Sequence, residues 1–381
     1  MTSRIKHVKA TQVIVHAKDG YVDRAGFGPS IFDKGPKWII EIQADDGSVG
    51  YGETPRNVGL GDVQYAAKHI LGKTLAQIPW AAPIPPDFSD HDMFGHKDPP
   101  VPNRLYERHF GTDRGALGVV IALQDLIAKS IDMRLCDLIG GPHREQIATD
   151  WWMGRTDAEH AAKQMQAGLE SGYNSVKIKA AAEDDLVAIV SAVKKVAGEQ
   201  TRVLIDPNLR FYRLSESIRI ARQIEDAGFT NVVFEDPFPF DLHEWGLFRE
   251  KTSLPLACHT ATSLHNALAN RCCDYVNINF PGHKFLGDAH MVGEFGSLCW
   301  IGAGIDLGIL DAYMLHYASA ARVCVLPGDA VGHDIRVDDL IQEKLQAHNG
   351  TIALPQGPGL GVTVDPDALK RFAQQTWDAT A

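Results

Sequence analysis

The chain has 381 residues, 45% hydrophobic and 22% charged, which is ordinary globular composition and is too long for one small core. Acidic residues outnumber basic ones by 48 to 37, for a net charge of −11, and no clustered Lys/Arg run is present to hold a nucleic acid. No apolar stretch approaches the roughly 20 residues a bilayer requires, and the N-terminal residues lack the apolar core of a signal peptide. Cys136, Cys258, Cys272, Cys273, Cys299 and Cys324 show no CxxC spacing and no disulfide framework, so a soluble protein of a reducing cytoplasm is expected.

In chain order, Ile5 to Ala17 alternates as a strand does, and Trp38–Ile42 followed by Gly50-Tyr51-Gly52 reads as a hairpin. Between them, Asp19 to Phe32 is polar and glycine-containing and reads as a mobile loop, and Glu53 to Asp62 reads as a second one. Pro79 to Asn103 is too rich in proline for regular helix or central strand. Thr112 can then cap a helix with Ala116, Leu117, Val120, Leu123 and Leu126 on its apolar face.

From about Gln146 the pattern becomes short β-rich runs alternating with amphipathic segments. The expected strands are Ile147–Trp152, Ser175–Ile178, Arg202–Ile205, Asn231–Phe234, Leu254–Cys258, Asp274–Ile278, Leu298–Ile301 and Arg322–Val325. Helical spacing falls between them, at Ala158, Ala161, Ala162, Met165 and Leu169, and again at Leu214, Ile218, Ala221 and Ile224. Eight such repeats predict a (β/α)8 barrel rather than an open sheet. The expected division is an α+β capping domain over residues 1–135, completed by the tail 350–381, and a barrel over 136–349.

A barrel keeps its chemistry at the C-terminal ends of its strands. The second ends Val176-Lys177-Ile178-Lys179, and alternation puts both amines on one face. Two crowded lysines depress each other's pKa, which would make a neutral amine base available. The third strand ends Asp206-Pro207-Asn208 and the fourth Glu235-Asp236-Pro237. Each acid alone reads as a helix N-cap. On successive strands beside a Lys-x-Lys, they read as carboxylates converging on a hard divalent cation.

This order resembles the mandelate racemase and muconate lactonizing branches of the enolase superfamily. The likeness extends over almost the whole chain, including Ile121-Ala122-Leu123-Gln124-Asp125, Leu138-Ile139-Gly140-Gly141 and the closing Gly357-Pro358-Gly359-Leu360-Gly361. It implies an enolase-like modified TIM barrel with an N-terminal α+β cap. It implies Asp206 and Glu235 as metal ligands and Lys179 as the base. Lys177 would tune that base or bind a carboxylate, Asn208 would touch substrate, and the loops 19–32 and 53–62 would close over it. A homo-oligomer is also implied.

Three departures stand out. The fifth strand ends Ala257-Cys258-His259, with no carboxylate, so His259 is the replacement metal ligand or else a substrate contact. Mg2+ is the first expectation for the cation, with Mn2+, Fe2+ or Zn2+ favoured if imidazole is a ligand. The sixth ends Asn277-Ile278-Asn279, without an opposite-face base; His283 can supply acid–base function from the following loop, and Asn279 and Lys284 are substrate-binding candidates. The seventh leads to Gly302-Ala303-Gly304-Ile305-Asp306, which lacks the racemase histidine and leaves Asp306 as a substrate contact. The Gly302-x-Gly304 spacing falls too late in the chain for a dinucleotide fingerprint. His333-Asp334 could form an oriented dyad, but it lies past the eighth strand, where a surface pair is the other reading.

The resulting expectation is metal-dependent removal of the proton beside a carboxylate, followed by β-elimination of water from a hydroxy or sugar acid. Racemisation, epimerisation or cycloisomerisation is the alternative. A degenerate barrel that only binds a small carboxylate is a further one.

Overall fold

A computed structural model describes residues 2–18, 35–78, 114–259, 263–279 and 283–381. The expected loop at 19–32, the proline-rich segment 79–103 and the capping residue Thr112 lie outside the described residues.

The N-terminal unit is a sheet with strand order β14-β1-β2-β3, from β1 (Ile5–Val13), β2 (Lys37–Ala44), β3 (Val49–Glu53) and β14 (Ala373–Thr380). All pairings are antiparallel. Its apolar face is covered by helices α1 (Leu60–Ile70) and α2 (Arg114–Ser130), which bury Ile40, Ile42, Val63, Leu123 and Leu126 together. The tail divides: β13 (Thr351–Ala353) joins β4 (Gln146–Ala148) and β12 (Ala347–His348), while β14 joins the cap sheet.

The barrel sheet holds seven parallel strands in consecutive order: β5 (Trp151–Met153), β6 (Val176–Lys179), β7 (Val203–Asp206), β8 (Val232–Glu235), β9 (Leu256–Cys258), β10 (Tyr275–Asn279) and β11 (Leu298–Gly302). Helices follow them: α4 (Ala158–Glu170), α5 (Leu186–Ala197), α6 (Leu214–Asp226), α7 (Leu242–Lys251), α8 (Leu264–Ala269), α9 (His283–Glu294) and α10 (Gly308–Ala320), with a short α3 (Leu135–Leu138) before the barrel. Period-two alternation sorts the strands into two faces. Val176, Ile178, Val203, Ile205, Val232 and Phe234 pack outward against the helices, whereas Leu204, Val233, Ala257 and Trp300 meet inside the barrel.

Two sequence expectations are corrected. The first expected strand, 147–152, is two pieces, β4 and β5, that pair with different neighbours. Arg322–Val325 forms no regular strand, and closure falls slightly later. The backbone at Cys324 pairs with that at Cys299 in an isolated parallel bridge, both thiols remaining free, and Gly328 accepts from Asp150 N at 3.0 Å and donates to Ala148 O at 3.1 Å. Gly328 is required there, since a Cβ would lie 2.7 Å from the carbonyl oxygen of Ile301. The chain closes by backbone proximity that a β-rich composition does not advertise.

Cap and barrel meet through buried charge. Lys37 pairs with Glu53 of the cap and with Asp306 beyond β11, and Glu53 accepts from the Leu307 and Leu310 amides at 2.8 Å each, capping α10. Glu53, expected to open a polar loop, is instead fully buried at the end of β3.

Candidate active site

Lys177, Lys179, Asp206 and Glu235 all project from the C-terminal ends of β6, β7 and β8 into the barrel, as the alternation requires. Lys177 is buried and its Nζ lies 2.9 Å from Glu235 Oε2, 2.9 Å from Asp329 Oδ2 and 3.2 Å from Asp206 Oδ2. Lys179 donates to Asp206 Oδ2 and, at 2.9 Å, to Asn208 Oδ1. Asn208 sits in left-handed backbone at φ 46°, a conformation asparagine tolerates, and its own amide donates to Asp206 Oδ1 at 3.0 Å. That turn is what brings its side chain back over the strand end.

The electrostatics are those of a crowded, water-poor cluster. Burial works against the charged amine of Lys177, yet Asp329, Glu235 and Asp206 hold it well above the ordinary lysine range. The expectation that Lys177 and Lys179 depress each other is therefore corrected for Lys177, where the three carboxylates outweigh the neighbouring amine. Burial alone would raise Asp206; the Lys179 and Lys177 ammonium groups reverse it and hold the carboxyl well below the usual range. Burial, reinforced by the Asp206 charge, pushes Glu235 up to about 8.

His259 follows β9 and donates its backbone amide to Asp236 Oδ1 at 2.8 Å. Its Nδ1 faces Glu235 Oε1 at 3.6 Å, and its Nε2 accepts from the side-chain amide of Asn279. Burial lowers its pKa, so the ring is neutral. Asn277 donates to Glu235 Oε1 at 2.6 Å.

Among the described residues no three carboxylate, imidazole or thiol groups are arranged as a ready-made metal site. The donor chemistry nonetheless suits a divalent cation. Three carboxylates face two ammonium groups, and among the described residues Asp329 Oδ1 and His259 Nδ1 are buried without a hydrogen-bond partner. The 3.6 Å between Nδ1 and Oε1 is close to the roughly 3.4 Å that separates two ligand atoms on one tetrahedral ion with bonds of about 2.1 Å.

Other sequence candidates fall elsewhere. Asp306 is buried against Lys37 at the cap–barrel junction and also accepts from Gly304 N at 2.7 Å. Lys284 pairs with Asp288 one turn along α9. The backbone of His283 begins α9, and its side chain lies outside the described residues. His333 is not a surface residue: its ring is largely buried, 3.6 Å from Asp311 and 3.4 Å from Asp334. Asp329 and Asn277 carried no assigned role in the sequence. Asp329 follows the run Val323–Leu326, so the rule that an acid ending an apolar run marks a barrel mouth would have found it had the last strand been placed later.

Residues 160–368 match the family model described as Enolase C-terminal domain-like. The chain belongs to that enolase-like family. Its mandelate racemase/muconate lactonizing likeness is borne out by relatives of several activities. D-galactarolactone cycloisomerase of Agrobacterium fabrum is 25% identical, over 96% of this chain and 99% of its own. L-Ala-D/L-Glu epimerase of Bacillus subtilis is 23% identical, over 85% of this chain and 88% of its own. The solved structure of L-talarate/galactarate dehydratase from Salmonella typhimurium, liganded with Mg and L-lyxarohydroxamate, superposes with a TM-score of 0.73 at 18% identity, covering 100% of this chain and 95% of that one. The enolase-like fold and an enzymatic family are thus established. Among the described residues, no helix is long and apolar enough to cross a membrane.

Proposed function

We propose that this enolase-family member removes the proton adjacent to the carboxylate of a small hydroxy acid or sugar acid and then eliminates water. The observation that carries the reading is the Lys179 amine, hydrogen-bonded to Asp206 and Asn208 at the mouth of the barrel beside the buried acid Glu235.

Asp206 and Glu235 would hold a divalent cation, with His259 as the nitrogen ligand where a third carboxylate is lacking. Mg2+, present in the dehydratase relative, is the first choice, and a nitrogen ligand shifts preference toward Mn2+, Fe2+ or Zn2+. When bound, the cation supplies positive charge where the enolate's negative charge develops.

Lys179, at the open end of β6, is the group placed to take the α-proton as general base. Asn208 fixes its Nζ. Lys177, held charged by Asp329, Glu235 and Asp206, stays an ammonium and faces the substrate's carboxylate. As the C–H electron pair moves toward the carboxylate and back, the β-carbon–oxygen bond breaks. The departing hydroxyl takes the proton from Lys179 and leaves as water, which restores the amine. Racemisation would need a second acid on the opposite face, and among the described residues the C-terminal end of β10 turns Asn277 and Asn279 inward, neither of which transfers a proton. That favours elimination over racemisation and epimerisation.

The test is incubation of the metal-loaded protein with a panel of hydroxy and sugar acids in D2O. Deuterium exchange with formation of a 2-keto acid is expected. Inverted product without keto acid would establish the isomerase reading, and no exchange with any acid would sink both.

A further inference from the structure

The two asparagines of β10 are two residues apart, so their side chains share the inward face. Asn279 pairs in register with Gly302 of β11. A Cβ on Gly302 would lie 2.2 Å from Asn279 Oδ1 and 2.3 Å from Asn277 Oδ1. Both oxygens therefore rest on the bare glycine, and both amide nitrogens face the site, one toward Glu235 and one toward His259.

The orientation of the Asn279 amide and the tautomer of His259 are therefore coupled. Because Nε2 accepts from the Asn279 amide, the single ring proton sits on Nδ1, the atom that faces Glu235 Oε1 at 3.6 Å. A cation shared with Glu235 needs the opposite: a bare Nδ1, with the proton on Nε2. The ring nitrogen that binds a metal is set by the bond its other nitrogen makes. An aspartate at 279 could only accept and a lysine could only donate. An amide can do either, since rotation by half a turn exchanges its oxygen and nitrogen, and Gly302 leaves room for either atom.

We propose that Asn279 is a positioning residue that lets His259 change tautomer, donating to Nε2 in the metal-free protein and accepting from it when Nδ1 takes the cation. Nδ1 gives its proton to solvent and Nε2 gains one, so the ring stays neutral throughout. The inference rests on the proposed metal role of Asp206, Glu235 and His259. It adds that the site's nitrogen preference depends on a residue that is not itself a metal ligand.

The test uses the whole protein with Zn2+ and Mg2+ as separate probes. Nitrogen NMR of the imidazoles, assigned with His259→Gln, reads the tautomer, and calorimetry reads affinity. In the parent, the His259 proton should move from Nδ1 to Nε2 on adding Zn2+. Asn279→Asp should show the Nε2–H form before metal is added. Asn279→Leu should lose about 10-fold or more in Zn2+ affinity, the usual effect of removing such a partner, with a much smaller change for Mg2+. Asp206→Asn serves as the control. If it loses metal while Asn279→Leu titrates like the parent and neither position-279 variant shifts the tautomer, the role of Asn279 is refuted and the metal site stands. If Asp206→Asn binds both ions as the parent does, the metal reading fails and the inference fails with it.

Discussion

Lys177 and Asp329 are separated by 152 positions, yet Nζ and Oδ2 lie 2.9 Å apart in a buried contact. The pair joins the second barrel strand to the irregular segment that closes the barrel. Truncation of the lysine would leave Asp206, Glu235 and Asp329 facing one another with one cation fewer. Breaking a buried ion pair on one side costs about 3 to 5 kcal/mol. Lys177→Met should therefore destabilise the metal-free protein by that order at neutral pH, read by urea denaturation, and a divalent cation should recover part of the loss. A variant as stable as the parent would show that the three acids tolerate one another by protonation alone.

Lys179→Ala should abolish turnover while the protein keeps its fold and its metal. The amine lies at a strand end and packs in no apolar cluster, and without it Asp206 still has Lys177 Nζ at 3.2 Å. Loss of a general base costs about 10²- to 10⁴-fold. Substrate deuterium exchange should fall with the steady-state rate. Exchange at the parent's rate would remove the lysine from the mechanism.

Asp206→Asn and Glu235→Gln should each lower the bound metal sharply in elemental analysis, because a site short of one carboxylate has little charge to spare. His259→Asp should raise Mg2+ affinity and flatten its dependence on pH, since a ligand imidazole must be neutral and a carboxylate already is ionised there. Parent-like metal content in both carboxylate variants would contradict the assignment.

The barrel was legible because its signals are local. Apolar runs ending in Lys179, Asp206 and Glu235 recur at even spacing, and alternation alone decides which of their neighbours face inward. The eighth strand was not legible, because Gly328 and Asp329 reach their partners through isolated backbone bonds that leave no periodic trace. The same limit hid the Lys177–Asp329 pair and the burial of Glu53, both of which depend on contacts across the whole chain. The burial of His333 stayed hidden for a related reason: its second acid, Asp311, lies in α10 and is adjacent only after the helix docks. Asn277 and Asn279 were read for what they lack, a proton-transferring group, and their hold on Glu235 and His259 emerged only with neighbouring strands in place.

His316 gives a pH dependence that is independent of catalysis. It lies fully buried in α10, where Nδ1 accepts from Cys136 N at 3.2 Å and Nε2 donates to Leu360 O at 3.0 Å, tying α3 and the C-terminal segment to the barrel. Burial lowers its pKa from 6.5 to about 4. A proton added at Nδ1 would oppose the Cys136 amide that now donates to it. Since the unfolded chain binds this proton more readily than the folded one, stability is fully present above pH 6.5 and is lost as pH falls toward 4. The shift is equivalent to about 3 kcal/mol across that window. His316→Asn keeps an acceptor for Cys136 and has no titrating ring, so it should be less stable than the parent at pH 7 while losing less stability on acidification. Urea denaturation of both proteins at several pH values between 4 and 7 reads the difference in slope. Parallel curves would mean that the histidine binds its proton equally well in the folded and unfolded chains, with the acid sensitivity resting on the buried carboxylates instead.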